Sequence, residues 1–320
     1  MPGSLTGKTI VVTGAAGFIG SRVVDRLASD RGRVIRVARA ALPPVENVPA
    51  SVIDVIGDVS DRATWDRVAD ADVVFHFAAQ TGESCAADSA DASFRTNVVP
   101  IRHLLAVCDQ RRCHPIVVFA GTVTEAGIPS RLPVNEDQPD DPVTAYDRHK
   151  LMAENDLKAA AAQGLICGAT LRLSNVYGPG AAGQGRDRDV LNRMIRAALG
   201  GEPLTVYGSG EYLRDYVFVE DVVDAFLTAA DHAANINGRH FIVGSGRGVT
   251  IRGAFELIAA RVERLTGRRV SVVTADPPAA LSDIQRRNFV ADSSRFSAAT
   301  GWRPSWSLSD GIDRTIEAFA

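Results

Sequence analysis

A run of glycines directly follows an apolar segment near the start of this chain. Residues 10–13 read Ile-Val-Val-Thr, as in a buried strand, and residues 14–20 read Gly-Ala-Ala-Gly-Phe-Ile-Gly. Glycines here allow a tight turn, a close approach of the backbone to a pyrophosphate, and close packing of strand on helix. The N-terminus of the following helix favours an anion. We therefore predict a dinucleotide-binding turn whose contacts are made by Gly14, Gly17, Phe18, Ile19 and Gly20.

Short apolar segments alternate with helical patterns through the first half of the chain. The apolar segments predict strands at residues 10–13, 34–37, 52–56, 72–77, 115–119 and 167–173. Helical spacing predicts helices at residues 18–29, 62–69, 94–111 and 144–162. Strands that are apolar throughout and separated by helices indicate a parallel sheet covered on both faces. The expected fold class is α/β, a Rossmann-type doubly wound parallel sheet.

This alternation loosens in the second half of the chain. Glycine and proline cluster at residues 177–183, and short strands and helices follow without a clear boundary. We therefore predict a dinucleotide-binding domain over residues 1–174. Residues 175–320 are expected to form mainly a smaller, interwoven C-terminal substrate lobe.

Composition and charge exclude several classes of protein. Of the 320 residues, 46% are hydrophobic and 23% are charged, which is ordinary for a globular chain. No segment approaches the roughly 20 apolar residues of a membrane-spanning helix. The net charge of −3 gives no basic surface for nucleic acid. Because residues 1–8 also lack an apolar export segment, we expect a cytoplasmic protein with neither membrane nor nucleic-acid partners.

The cysteine pattern predicts neither disulfides nor a metal site. The four cysteines form no Cys-x-x-Cys pair, which suits a reducing compartment. No spacing of His, Cys, Asp or Glu is typical of metal ligands. We therefore expect no metal ion.

Tyr146 and Lys150 form a candidate acid/base pair. They lie four residues apart and about 130 residues after the glycine turn, so a helix would present both from one face. A free tyrosine titrates near pH 10, too high for efficient proton transfer at neutral pH. A nearby ammonium favours the phenolate and lowers the pKa of the tyrosine. We predict that Tyr146 is the acid/base and that Lys150 tunes it and holds the nicotinamide ribose.

The end of the second predicted strand indicates which dinucleotide is bound. NAD sites usually place Asp or Glu there for the ribose 2′-OH, whereas an arginine accommodates a 2′-phosphate. This chain has Val37-Ala38-Arg39, with no acid, and Arg36 can add further positive charge. The residues therefore favour NADP(H), with NAD as the alternative and a solvated surface role as the other interpretation of Arg39.

The glycine spacing resembles one superfamily. Gly-x-x-Gly-x-x-Gly, the Gly-Phe-Ile-Gly sequence and the chain length are similar to those of extended short-chain dehydrogenases/reductases, the NAD-dependent epimerase/dehydratase family. The resemblance implies that Asp58 and Val59 contact the adenine, and it implies a homodimer. Residues expected to flank the cofactor by the same resemblance are Phe77, Ala78 and Ala79.

A third catalytic residue is expected at the end of the fifth predicted strand. Thr122 and Thr124 offer hydroxyls there that can hydrogen-bond the reacting oxygen. In the superfamily a Ser/Thr-rich triplet occupies this segment, and its last member matches Thr122. We therefore predict that Thr122 is catalytic and contacts the substrate, and that Thr124, close behind it, is a further substrate-binding residue. The acid pair of sugar-nucleotide dehydratases is replaced by Val123 and Thr124, and Glu125 lies one place too late, so dehydration is not expected.

Two later segments resemble the nucleotide-sugar-binding segments of extended enzymes. These are residues 171–180 and 208–222, in which the resemblance assigns Asn175 and Arg214 to the substrate diphosphate. The planar, bidentate guanidinium of an arginine suits phosphate oxygens. An ion pair with Asp215 or Asp221 is the alternative role of Arg214.

Further segments resemble one narrower group. Residues 119–123, 145–154, 238–249 and 292–296 are similar to bacterial NDP-4-keto-6-deoxyhexose 4-ketoreductases of antibiotic deoxysugar pathways. The resemblance implies reduction by NADPH of the C4 ketone of a nucleotide-linked, dTDP-type sugar. An NAD-dependent nucleotide-sugar 4-epimerase is the alternative, since the same three residues serve either reaction. A non-catalytic binding protein is a third interpretation, which the presence of both Tyr146 and Lys150 disfavours.

Overall fold

The computed structural model describes residues 5–30, 32–81, 87–180, 189–277 and 283–320. The strands within these ranges are β1 (Thr9–Thr13), β2 (Arg33–Ala38), β3 (Ser51–Ile56), β4 (Val73–His76), β5 (Ile116–Thr122), β6 (Cys167–Leu173), β7 (Asn175–Tyr177), β8 (Leu204–Tyr207), β9 (Leu213–Phe218), β10 (Arg239–Val243), β11 (Gly248–Thr250) and β12 (Val272–Ala275).

The helices connect and cover these strands. In the described ranges they are α1 (Phe18–Ala28), α2 (Arg62–Asp66), α3 (Ala87–Asn97), α4 (Val99–Arg111), α5 (Ala145–Ala162), α6 (Val190–Gly200), α7 (Val219–Asp231), α8 (Ala233–Ile236), α9 (Ile251–Thr266), α10 (Asp283–Arg286), α11 (Ser294–Thr300) and α12 (Leu308–Phe319). A short 3₁₀ helix, Val123–Ala126, directly follows β5.

The central feature is a seven-stranded sheet in the order β10-β6-β5-β4-β1-β2-β3. Every neighbouring pair in it is parallel. Strand order reverses between β1 and β4, because the chain builds outward from β1 to β3 on one side and from β4 onward on the other. The predicted Rossmann-type parallel sheet is therefore confirmed.

Alternate residues of β1 explain why the strands are apolar throughout. Ile10 and Val12 enter one buried cluster, which the inner faces of α1 and α7 complete. Val11 enters a second cluster on the opposite face, completed by α2, α4 and α5. Successive side chains of a strand point to opposite faces, so a sheet covered on both sides needs apolar residues at every position.

The single helix predicted over residues 94–111 is wrong in one respect, because two helices occupy this region. α3 ends at Asn97 and α4 begins at Val99, with Pro100 in its first turn. Proline has no N–H to donate and its ring disfavours helical geometry in the residue before it, so it fits the start of a helix but not its interior.

The second half of the chain contributes to the large sheet and also builds two smaller ones. β10 pairs with β6 at the edge of the large sheet. The smaller sheets have the orders β11-β9-β7 and β12-β8. Helices α6, α9 and α12 pack around them in a separate buried cluster. A domain division at residue 174 stays a prediction.

Among the described residues, no helix combines the length and the apolar character needed to cross a membrane.

Phe226 on α7 joins the core to the loop that follows β4. Its side chain is 0% exposed, and its ring lies 4.5 Å from that of Phe77 and 6.3 Å from that of Phe75. We expect Phe226→Ala to lower the free energy of unfolding by about 3–5 kcal/mol, because it leaves a cavity among these rings. The exposed Leu265→Ala serves as control and should change it by less than about 0.5 kcal/mol. Equal effects in urea denaturation would contradict this account of the core.

Candidate active site

A cleft of about 1150 Å³ lies along the carboxyl ends of the parallel strands. Its lining includes the segments that directly follow β1, β3 and β4, and the last residues of β2, β5 and β6. Open α/β sheets bind ligands outside the carboxyl ends of their strands, where the strand order reverses. The cleft is in this position.

The glycine turn forms one wall of the cleft by a close backbone approach. Gly14 has a φ of +65°, and a Cβ there would lie 2.7 Å from the backbone nitrogen of Ala78. A Cβ on Gly20 would lie 2.3 Å from the carbonyl oxygen of Gly14. Gly17 precedes α1 without a side-chain cap. The turn is therefore a backbone cradle at a helix N-terminus, which suits a pyrophosphate.

Every residue predicted to contact the cofactor lines this cleft. They are Gly14, Gly17, Phe18, Ile19, Gly20, Arg39, Asp58, Val59, Phe77, Ala78, Ala79 and Lys150. These residues come from five separate stretches of the chain, which the parallel sheet brings together. The donors and the glycine cradle fit a dinucleotide.

The expectation that Arg36 adds positive charge to the cofactor site is wrong. Its guanidinium donates to both carboxylate oxygens of Asp54 on β3, at 2.6 and 2.8 Å, and to the carbonyl oxygen of Pro43 at 3.0 Å. The side chain is buried in these contacts. Arg39, by contrast, is exposed at the rim of the cleft. Of the two arginines that favoured NADP(H), only Arg39 lines the cleft.

Thr122, Tyr146 and Lys150 lie along the same cleft. Thr122 is the last residue of β5, and the other two lie in the first turns of α5. Thr144 begins this helix by accepting a hydrogen bond from the backbone N–H of Asp147 at 3.1 Å. The strand end and the capped helix thus place a hydroxyl, a phenol and an amine on the lining of one cleft.

The electrostatics of the pair differ from the sequence-based expectation. Burial raises the pKa of Tyr146 above its ordinary value, and the carboxylates of Glu125 and Asp147 raise it further. The ammonium of Lys150 lies 4.0 Å from the centroid of the Phe119 ring. Burial and the two carboxylates therefore favour the protonated phenol in this structure.

A buried charge cluster, which the sequence did not indicate, lies beside the candidate catalytic residues and is formed by Glu125, Glu154 and Arg172. Arg172 donates to both oxygens of Glu154, at 2.9 and 2.6 Å, and lies 3.1 Å from Glu125. Burial raises the pKa of Glu125 well above its ordinary value, and Glu154 adds to the rise while Arg172 opposes it. Glu125 also accepts the backbone N–H of Thr122 at 2.8 Å, which holds the end of β5 in place.

The structure leaves Asn175 and Arg214 outside the cleft lining. Asn175 donates to the carbonyl oxygen of Asp215 at 3.0 Å. Arg214 donates to the backbone carbonyls of Leu213, Gln285 and Arg287. The alternative ion pair of Arg214 with an aspartate is also not formed. A contact of either side chain with a diphosphate stays a prediction, and it requires these hydrogen bonds to break.

The sequence did not predict that residues of α6 and its N-cap line the cleft. Asp189, Asn192 and Arg196 line it, and the guanidinium carbon of Arg196 lies 3.6 Å from the centroid of the Phe319 ring. An aspartate before an apolar helix is an N-cap signal, and Asp189 does accept the N–H of Asn192 at 2.8 Å. That signal locates the helix, but which of its faces meets the cleft depends on tertiary packing.

The described part of the chain contains no candidate metal site. No group of three or more His, Cys, Asp or Glu residues there is arranged to hold a metal ion.

Comparison with known proteins defines the class to which this site belongs. The family described as the NAD dependent epimerase/dehydratase family matches residues 10–244. The chain belongs to this family.

Particular relatives are 4-epimerases. UDP-glucose 4-epimerase of Mycolicibacterium smegmatis is 30% identical over 316 residues, which cover 97% of this chain and 97% of the relative. The structure of UDP-glucose 4-epimerase from Thermotoga maritima with UDP-glucose has a TM-score of 0.84 and 29% identity, covering 97% of this chain and 98% of that one. UDP-glucose 4-epimerase from Brucella ovis in complex with NAD has a TM-score of 0.81 and 27% identity, covering 98% of each chain.

The backbone approach at Gly14 generates a prediction. Gly14→Ala should weaken NAD binding by roughly tenfold or more, because the new Cβ meets the backbone of Ala78 and moves the cradle. Gly7→Ala is the matched control, since Gly7 has a φ of +80° but nothing within 4 Å of its Cβ position. Calorimetric titration with NAD measures both variants. Unchanged affinity in Gly14→Ala would show that the turn does not hold the cofactor.

The Lys150 ammonium gives a pH-dependent prediction. Burial lowers its pKa to about 8 from 10.5, although Glu125 and Glu154 oppose the shift. Between these pH values the unfolded chain binds more protons than the folded one at this position, so the free energy of unfolding rises with pH there. The free energy of unfolding of wild type, minus that of Lys150→Met, should therefore increase from pH 8 to pH 10.5. Urea denaturation at intervals of pH measures it, and a flat difference would contradict the shift.

Proposed function

We propose that this protein is an NAD-dependent nucleotide-sugar 4-epimerase. The observation that carries the proposal is the convergence of Thr122, Tyr146 and Lys150 on a cleft whose wall is a dinucleotide cradle. Relatives named as UDP-glucose 4-epimerases match nearly the whole chain. The 4-ketoreductase favoured by the sequence analysis has no support among these relatives, so its alternative becomes the leading interpretation.

The cofactor is inferred to be NAD rather than NADP. A related epimerase was solved with NAD, and the pairing of Arg36 with Asp54 removes one of the two charges that favoured NADP. Arg39 then acts as a solvated residue at the rim. When bound, NAD would be held by the glycine turn and Lys150 and would supply the hydride acceptor and donor for the sugar C4.

Tyr146 is the general acid/base of this reaction. It takes the proton of the C4 hydroxyl as the C–H bond breaks, and it returns that proton when the alcohol re-forms. Thr122 hydrogen-bonds the same oxygen. Lys150, one helical turn along α5 from Tyr146, supplies the positive charge that favours the phenolate against burial.

The nucleotide sugar is inferred to occupy the part of the cleft beside α6. The whole cleft, at about 1150 Å³, exceeds the roughly 300–1,000 Å³ of common small-molecule sites, so it has room for a dinucleotide and a second nucleotide. Arg196 lines this part and offers a planar donor for a diphosphate. A homodimeric assembly and a cytoplasmic location stay predictions from the family resemblance and the composition.

The two reaction types differ in whether they consume added reduced cofactor, and this difference provides the test. The purified chain, incubated with UDP-glucose and no reductant, should form UDP-galactose, which chromatography separates. Added dTDP-4-keto-6-deoxyglucose with NADPH should give no steady loss of absorbance at 340 nm. Stoichiometric NADPH oxidation without any epimerisation would overturn the proposal and restore the ketoreductase.

The role of Tyr146 is tested by removing one oxygen atom. Tyr146→Phe should lower kcat for epimerisation by about 10²–10⁴-fold, because general acid/base catalysis contributes that much. Tyr207→Phe, which removes the same atom from an exposed tyrosine at the end of β8, should leave kcat unchanged. Equal rates for the two variants would assign the acid/base to another residue.

A further inference from the structure

The ammonium of Lys150 lies over the face of a buried aromatic ring. Its nitrogen is 4.0 Å from the centroid of the Phe119 ring, and the two residues are 2% and 0% exposed. Within the part of the chain that the structure describes, this ammonium forms no hydrogen bond and no ion pair. A cation within about 6 Å of a ring centroid is attracted by the negative face of the ring. The Phe119 ring is therefore a direct partner of the Lys150 charge.

Two buried carboxylates attract the Lys150 ammonium but are engaged by other cations. Burial disfavours the charged form of Lys150, whereas Glu125 and Glu154 both favour it. Arg172 donates to both oxygens of Glu154, at 2.9 and 2.6 Å, and Lys158 donates to one of them at 2.6 Å. Glu125 lies 3.1 Å from the same guanidinium. Since each carboxylate already has a cationic partner, the ammonium lies on the ring instead of pairing with either.

Neighbouring rings hold the Phe119 ring in place. Phe119 pairs with His76 across β5 and β4, and their rings stack with centroids 5.8 Å apart and planes 23° apart. The Trp65 ring lies 5.8 Å from that of His76 on the same face of the sheet. Burial, and then the charge of Lys150, lowers the pKa of His76 to about 3. His76 is therefore neutral at neutral pH and adds no second cation beside the ring.

The strand that carries this ring also carries the predicted catalytic hydroxyl. Phe119 and Thr122 both lie in the second half of β5, and Tyr146 and Lys150 lie one turn apart on α5. A lysine carries its charge on a flexible four-carbon stem, so the helix alone does not fix where the ammonium lies. Contact with the ring fixes the ammonium relative to both Thr122 and Tyr146.

We propose that Phe119 is a positioning residue whose ring face holds the Lys150 ammonium at the cleft and away from the two buried carboxylates. The ammonium then stays available to the phenol of Tyr146 and to a bound cofactor. Without the attraction of the ring, we expect the ammonium to turn towards Glu125 and Glu154, which removes positive charge from the phenol. The role in catalysis rests on the proposed function, whereas the contact between ring and ammonium does not.

Fluorination of the ring tests the contact with little change in shape. Fluorine withdraws electron density from the ring face, which weakens the attraction of that face for a cation. The full chain is made with mono-, di- or trifluorinated phenylalanine in place of Phe119, both in wild type and in Lys150→Met. In urea at neutral pH, the unfolding equilibrium constant should rise with each added fluorine in wild type, relative to Lys150→Met, by about two- to thirtyfold in total. The effect of fluorine on apolar packing is common to both backgrounds and cancels in this ratio.

Kinetics separates positioning of the ammonium from packing of the core. Along the same fluorinated series, kcat for epimerisation of UDP-glucose should fall by about two- to thirtyfold. KM for UDP-glucose should change by less than about twofold, because the ring faces the ammonium and not the nucleotide. Trifluorinated phenylalanine in place of Phe75 is the matched control, since Phe75 is equally buried on β4 but packs on the opposite face of the sheet. This control should leave kcat unchanged.

The outcomes distinguish this inference from the proposed function. An unfolding constant that rises with fluorination in wild type but not in Lys150→Met would support the contact, whatever the chain turns over. Equal trends in the two backgrounds would overturn the inference. An active epimerase whose kcat does not change along the Phe119 series would overturn the positioning role alone. A chain that epimerises no nucleotide sugar would overturn the proposed function, and with it the catalytic role of Phe119.

Discussion

The loops that follow β1 and β4 approach each other closely at Gly14 and Ala78, and the shape of the cleft follows from this contact. The Thr13 hydroxyl accepts the N–H of Ala78 at 3.3 Å and bonds the ring of His76 at 2.8 Å, so the ends of β1 and β4 are tied together where the strand order reverses. The crevice opens at this point because the chain leaves the two strands in opposite directions. Any side chain at residue 14 would separate the loops.

Periodicity along the chain predicted what is local in this fold. Strands β1 to β6 and helix α5 follow from apolar runs and helical spacing, and the glycine turn follows from its place between a strand and a helix. Pro100 is the local signal for the break between α3 and α4. The sequence analysis did not use it, because the residues around it have helical spacing. The pairing of Arg36 with Asp54 could not be predicted, because it depends on the register of two neighbouring strands.

The arginines show most clearly which contacts cannot be predicted from the sequence. Arg36 and Arg214 looked like anion-binding residues, yet a carboxylate engages one and backbone carbonyls engage the other. Arg196 carried no signal of its own and lines the cleft. A guanidinium has five donors and no acceptor, so it goes to whichever oxygens the fold places within reach. The sequence specifies the donor, and only tertiary structure specifies the oxygens.

Burial and the charges around Tyr146 oppose the ionisation of its phenol. Burial, Glu125 and Asp147 all hold the phenol protonated, and the Lys150 ammonium is stacked on Phe119. A phenolate at this position therefore requires added positive charge in the cleft, which an oxidised nicotinamide ring carries.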